Sequence, residues 1–368
     1  MSNYITATRF NDLQVGGKLD QKRYPELGAV NAAYASTASV DYISPSVIQN
    51  LASISAQRQI LVPTFINGTI VVGDTPGYNN IPSNLLESDT FTLQAYNIFS
   101  GFRHYESTYD NNVMDSQDAI DTKMKRVTYE MAKVKEQIII AILEANKTQV
   151  LDFTEQVSAT TGDYSFSGST GNSATTDILT IKRAVQNETM FYTLEALAEA
   201  NEIMGAGRVI TNRAGLVRQK VEALKYGAGN EQNLEALGFY GADRMHQSSQ
   251  ISAGSDMFNG FYLKDGAIGL YSNFPYEFRN GKVLNDRKWT VSDVELPFLR
   301  SRCNIYTREG VTNSTALVGT HNNELDSNTI MSTFTEMAIW DRFYVATTPN
   351  KEIATRSNDI FKIKGTVA

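Results

Sequence analysis

Hydrophobic positions are sparse over residues 1–38, where Gly16, Gly17, Pro25 and Gly28 punctuate a polar stretch. It reads as an extended arm without a core of its own, which needs a surface to lie on. From Asp41 to Arg58 the pattern predicts a short helix, with Ser44 as its cap, Pro45 at the first helical position, and Val47, Ile48, Leu51 and Ile54 on one side. Ile60, Leu61, Val62, Phe65, Ile66, Ile70, Val71 and Val72 then form a β-rich run that closes on the turn Gly73-Asp74-Thr75-Pro76-Gly77. Phe91, Leu93 and Ala95 alternate as a returning strand should, so 59–97 predicts a long two-stranded excursion with a polar tip at Tyr78, Asn79 and Asn80.

The strongest periodicity follows. Ile120, Met124, Val127, Met131, Val134, Ile138, Ala141 and Ala145 alternate at spacings of four and three, and no Gly or Pro interrupts them. With Ser116 as cap and Asn146 as end, this predicts one helix of about 45 Å. Its outward charges are too irregular for a coiled coil, and a single long helix lying across a sheet fits better. Residues 158–176 are mostly Ser, Thr or Gly and contain no Lys or Arg, which reads as a flexible loop and a natural boundary.

Beyond it, helix and strand patterns alternate as in a mixed α/β unit. A helix is expected over Met190 to Met204, a strand over Arg208 to Thr211, and a helix carrying Leu216, Val217, Val221 and Leu224. Phe261 to Tyr271, with Asp265-Gly266 at the centre, predicts a tight hairpin, because Asp-Gly supplies the positive φ such turns need. Trp289 to Arg308 and Thr335 to Thr347 return to strand patterns, and no internal repeat emerges.

Composition narrows the function. The 368 residues carry 33 Lys plus Arg against 40 Asp plus Glu, a net charge of −7 without a basic tail, which argues against binding dominated by phosphate neutralisation. No apolar run approaches the ~20 residues of a membrane span. One cysteine, Cys303, excludes an internal disulfide and any multi-cysteine metal site. On a strand without a motif around it, Cys303 is expected to be a small buried residue. His104, His246 and His321 are scattered, with no metal-ligand spacing. The pairs Gly205/Gly207 and Gly227/Gly229 lack the strand-glycine-helix context of a phosphate loop and read as helix-ending glycines. Arg213, Arg218, Lys220 and Lys225 make one helix locally basic; with an acidic stripe on the helix before it that could pair with it, this reads as a solvated or intersubunit salt-bridge face and not as nucleic-acid binding. The expectation is no catalytic residue, no cofactor and no metal.

An arm, a long hairpin and a lone helix cannot all bury their apolar faces within one chain, so the pattern implies assembly. That order of parts resembles the major capsid proteins of tailed bacteriophages, the Hong Kong 97 fold. The segment RSRCNIYTREGVTNSTALV is similar to that family's late strand pair, and FYLKDGAIGLY with the following Asn-Phe-Pro is similar to its axial-domain segments. The resemblance implies an α+β fold with five parts. These are an N-terminal arm over 1–58, an extended loop with flanking strands over 59–113, the spine helix of a peripheral domain over 114–157, a mixed α/β axial domain over 177–285, and peripheral strands with a C-terminal segment over 286–368.

It further implies a non-enzymatic subunit that forms the pentamers and hexamers of an icosahedral shell around double-stranded DNA. Thr75, Tyr78, Asn79 and Asn80 would be subunit contacts at the loop tip, and Ile120, Met124, Val127, Met131, Val134 and Ile138 the core face of the spine. The partners it implies are further copies of the chain, a separate scaffolding protein, a portal protein, a decoration protein and weakly held DNA, with no membrane. Assembly would begin in the bacterial host cytoplasm and end in the virion. Some members cross-link a loop lysine to a neighbouring asparagine; here no lysine lies between Lys22 and Lys123, so that bond is not expected. The alternatives are an encapsulin-like compartment and, from another class, an enzyme whose site would gather His246 with carboxylates in three dimensions.

Overall fold

The computed structural model describes residues 26–51, 59–66, 87–105, 116–148, 164–166, 178–181, 207–217, 244–252, 258–273, 283–284, 289–313, 331–349 and 359–365, with the single positions 194, 198 and 203. Within them the fold is α+β: short helices α1 (Gly28–Ser36) and α2 (Pro45–Leu51), one long helix α3 (Ser116–Ala145), and two sheets.

Helix α3 runs for 30 residues because nothing in it breaks the ladder; Asp118 favours its N-terminal end, and Asn146 closes the other by hydrogen-bonding the Ile142 carbonyl through both backbone N–H and side chain. Its buried stripe drifts away from the strict four-and-three register. Ile120, Met124 and Met131 are buried and Val127 and Ile138 partly so, but Val134 is 40% exposed and Ala141 and Ala145 face outward. The stripe continues instead through Thr128, Lys135, Glu136, Ile139 and Leu143, each under 2% exposed. A straight helix turns every 3.6 residues, so a 3.5-residue pattern slips off the core face within two heptads.

The first sheet has seven strands. Strands β1 (Gln59–Ile66), β2 (Glu87–Tyr105), β12 (Met331–Thr347), β11 (Ser301–Asn313), β10 (Trp289–Leu296) and β9 (Val283–Leu284) lie in that order, and β8 (Ile268–Ser272) pairs with the end of β12 beyond β11. Every pairing in it is antiparallel. The second sheet has the order β3 (Tyr164–Phe166), β4 (Ile178–Ile181), β13 (Ile360–Gly365), β7 (Phe258–Lys264), β5 (Gly207–Thr211) and β6 (Met245–Gln247), with β13/β4 and β5/β6 parallel.

Several expectations are corrected here. The Asp265-Gly266 turn exists, with Gly266 at φ +90° and Ala267 N–H on the Lys264 carbonyl, but β7 and β8 belong to different sheets, so the turn is a corner and not a hairpin. A turn motif fixes a local reversal; the partner of each strand is decided by the sheets it enters. Strands β8 and β9 lie within the range expected for the axial unit yet hydrogen-bond in the first sheet, while β13, expected among the peripheral strands, lies in the second. The Ser/Thr/Gly-rich stretch contains a strand, β3.

Part of the expected arm is helical, while residues 1–25 lie outside the described residues. Residues 28–36 form α1, whose Ala29, Val30, Ala32 and Ala33 are fully buried. Small side chains that look inconspicuous in the sequence allow this helix to approach its neighbours closely. It packs among α3, β8, β6 and β5 in the largest core, which also takes Phe261 and Leu263 from the second sheet and Met337, Ile339 and Phe343 from the first. The opposite face of β7 contributes Phe258 and Tyr262 to a second core with Leu179, Val209, Phe361 and Ile363.

Candidate assembly interface

The hairpin expected from the sequence forms a continuous ladder from Gln59↔Gln94 to Ile66↔Glu87. Val62 and Leu93 are buried at its base against Ile43, Tyr271 and Tyr344. Strand β2 joins β12 only from Gln94 onward, so among the described residues 87–93 pair with β1 alone. The tip residues Thr75, Tyr78, Asn79 and Asn80 lie outside the described residues.

Side chains of β12 alternate between two environments. Met337, Ile339, Phe343 and Val345 enter the α3 core, which places Ala338, Trp340 and Arg342 on the opposite face. There Trp340 stands across from Phe99, which is 66% exposed, and beside Tyr306 at 6.1 Å between rings. The Arg342 guanidinium lies 4.9 Å from the Trp340 ring and donates through Nε to Asn97 at 3.1 Å. Two rows beyond Trp340, Arg103 and Arg308 both pair with Glu336 and both lie over the Phe334 ring. Burial pushes the Tyr306 hydroxyl up to about 12, although Arg342 pulls the other way, so it is protonated at neutral pH.

Under the sheet, α3 buries two adjacent charges. Lys135 Nζ donates to Asp341 Oδ2 at 2.9 Å and to Ser301 Oγ at 3.1 Å, and sits 4.3 Å from the Phe343 ring; both ionic side chains are 0% exposed. The other carboxylate oxygen of Asp341 is buried without a hydrogen-bond partner among the described residues. Glu136 turns toward α1 and accepts from the Ala29 and Val30 N–H groups at 2.8 and 2.9 Å. Burial raises its carboxyl above the ordinary value, and the hydrogen bonds from Ser248, Ala29 and Val30 offset that only in part. Sequence patterning missed both charges, since a Lys-Glu pair within a helix ordinarily signals a solvated face.

The other candidates stay apart. Cys303 is a free, buried thiol on β11, pushed well up by burial and by Asp341, which suits a core residue and not a nucleophile. His104 is buried on β2 and His246 lies on β6. Among the described residues no group of three His, Cys, Asp or Glu gathers as a metal site, and no helix is long and apolar enough to cross a membrane. His321 lies outside the described residues.

No family model and no curated protein matches the sequence. Solved structures align with it at low identity. The Cyanophage Pam1 capsid asymmetric unit aligns over 87% of this chain and 87% of its own, at 12% identity and a TM-score of 0.47. A structure titled Mycobacterium phage Adephagia aligns over 91% of each chain at 8% identity and a TM-score of 0.45. The capsid structure of the Cyanophage P-SCSP1u aligns over 86% of each at 10% identity and a TM-score of 0.42. At TM-scores below 0.5 these are likenesses only, and the functional reading rests on the chain's own geometry.

Proposed function

We propose that this chain is the major capsid protein of a tailed double-stranded DNA phage, a shell subunit with the Hong Kong 97 fold. The observation that carries the reading is the β1–β2 ribbon. Among the described residues, 87–93 pair with no strand but β1, and a two-stranded ribbon is marginal in water unless something packs on it. A neighbouring copy of the same chain supplies that packing. The aromatic and arginine-rich sheet face around Phe99, Trp340 and Arg103, on the side away from α3, supports the same role, because exposed aromatics rimmed by charge suit subunit contact.

In this reading the unit around the second sheet gathers pentamers and hexamers, the ribbon overlaps a neighbour with Thr75, Tyr78, Asn79 and Asn80 as subunit contacts, and α3 is the rigid spine. A scaffolding protein directs assembly in the host cytoplasm, a portal occupies one vertex, a decoration protein adds to the finished shell, and the acidic chain holds packaged DNA weakly. Electron microscopy of the purified chain, alone and with its scaffolding protein, tests this. Closed icosahedral shells are expected; a chain that remains monomeric in both conditions overturns it.

A further inference from the structure

Helix α1 has no cap of its own: its N-cap position is Leu27, with no side-chain hydrogen bond. The orphan N–H groups of Ala29 and Val30 are taken instead by the carboxylate of Glu136, more than a hundred residues away on α3 and 0% exposed. A bidentate carboxylate at a helix N-terminus combines charge-assisted bonds with the favourable end of the helix dipole.

Other contacts converge on the same end of α1. Leu27 bridges to Ser248, Ser249 N–H donates to the Glu26 carbonyl, and Gly28 lies so close to Gln247 that an added Cβ would stand 2.4 Å from its carbonyl oxygen. At the far end, Ser36 Oγ accepts from Gly266 N–H and Thr37 Oγ1 from Leu270 N–H. Between the two ends α1 offers only Ala29, Val30, Ala32 and Ala33 to the core, little apolar area for nine residues. Polar anchors therefore decide whether it stays docked.

We propose that Glu136 is a latch that holds α1, and with it the departure point of the N-terminal residues, against the spine helix as a unit separable from the rest of the fold. It is a positioning residue, and it goes beyond the shell reading because it concerns one chain before any assembly. It holds whether or not shells form.

The groups around the latch set its pH response. Helix α1 contributes only the Tyr34 phenol, Ser248 is uncharged, and Lys135 beside Glu136 is committed to Asp341. His246, an imidazole, lies two residues before Ser248. Because the docked carboxyl lies above its ordinary value, the docked state binds the proton more tightly. The N–H bonds and the helix end favour the ionised carboxylate and burial opposes it; because burial outweighs them, docking is strongest below the ordinary carboxylate value and weakens as pH rises through the raised one.

Amide hydrogen exchange of the unassembled full chain tests the latch, with protection factors of 28–36 compared with those of 131–143 and 258–264. Glu136→Gln places an amide NH₂ against one of the two N–H donors. It should speed exchange in 28–36 about tenfold to a hundredfold, leave the other two segments unchanged, and abolish the pH trend, which His246→Gln should preserve. Ser36→Ala, at the other end, should also loosen 28–36 alone. Unchanged protection of 28–36 in Glu136→Gln overturns the proposal. So does loss of protection in all three segments together in both variants, or disappearance of the pH trend in His246→Gln.

Discussion

The buried pair Lys135–Asp341 makes a sharp test of how this fold is held, because the two single removals and the joint removal should behave oppositely. Among the described residues, in Asp341→Leu the ammonium keeps only Ser301 Oγ and the Phe343 ring in a site closed to water, and in Lys135→Met the carboxylate keeps no partner, since its other oxygen already lacks one. Breaking such a pair from one side costs about 3–5 kcal/mol, a large part of the ~5–15 kcal/mol that holds a domain. Replacing both groups removes two desolvation penalties and puts apolar side chains beside Phe343, so the double variant should lie within about 1–2 kcal/mol of the parent or above it. Independent effects would sum to roughly 6–10 kcal/mol, so the cycle should return a coupling of several kcal/mol. Urea unfolding of the unassembled chain, followed by far-UV circular dichroism with the slope held as a check on two-state behaviour, gives all four corners. Raising salt should not shift the parent's midpoint through this pair, as it would for an exposed one. Single variants that cost under 1 kcal/mol, or a double variant as unstable as the sum, would refute the reasoning.

The remaining expectations divide between folding and assembly. In the unassembled chain Ile139→Asp should cost about 4 kcal/mol or more, while Val134→Asp should stay within about 0.5 kcal/mol, and thermal unfolding of both checks the drifted stripe. Replacing 74–82 with a short Gly-Ser turn should change subunit stability by less than about 1 kcal/mol yet abolish closed shells under the microscope. Particles should run as separate 40.8 kDa subunits on a denaturing gel, since the loop has no lysine to cross-link; a ladder that survives boiling and reductant would contradict this. For Glu144, burial is outweighed by hydrogen bonds from Lys147 and Lys362, and its carboxyl lies below the ordinary 4.5. Its contribution is therefore present above that value and lost as pH falls through the lowered one, so the urea midpoints of parent and Glu144→Gln should converge in acid.

What could be read from the sequence was whatever is encoded within a few turns of chain. The uninterrupted run from Ser116 to Ala145, the β1–β2 ladder and the strands of β10, β11 and β12 follow from local periodicity, and their element types match. Long-range pairing was illegible. Nothing near Lys135 announces Asp341, and nothing near Glu136 announces two amides of α1, so both charges read as surface. The turn at Gly266 was legible, but its flanking strands part company because β7 finds β13 and β5 while β8 finds β12. Helix α1 was missed because alanines and a glycine carry a weak hydrophobic signal, though close approach to Gln247 is a task only such residues perform.

The pairing of β2 with β12 also has a consequence during translation. Tyr105 leaves the ribosome more than two hundred residues before Met331 is made, and at ~5–20 residues per second the wait is roughly ten to forty-five seconds. Throughout it the edge of β2 that will receive β12 offers bare N–H and C=O groups next to Phe99 and Phe102, with other nascent copies on the same polysome offering the same edge. The chain's yield in a cell should depend on what shields that edge while synthesis runs, and slowing elongation should raise the aggregated fraction even though the finished fold is unchanged.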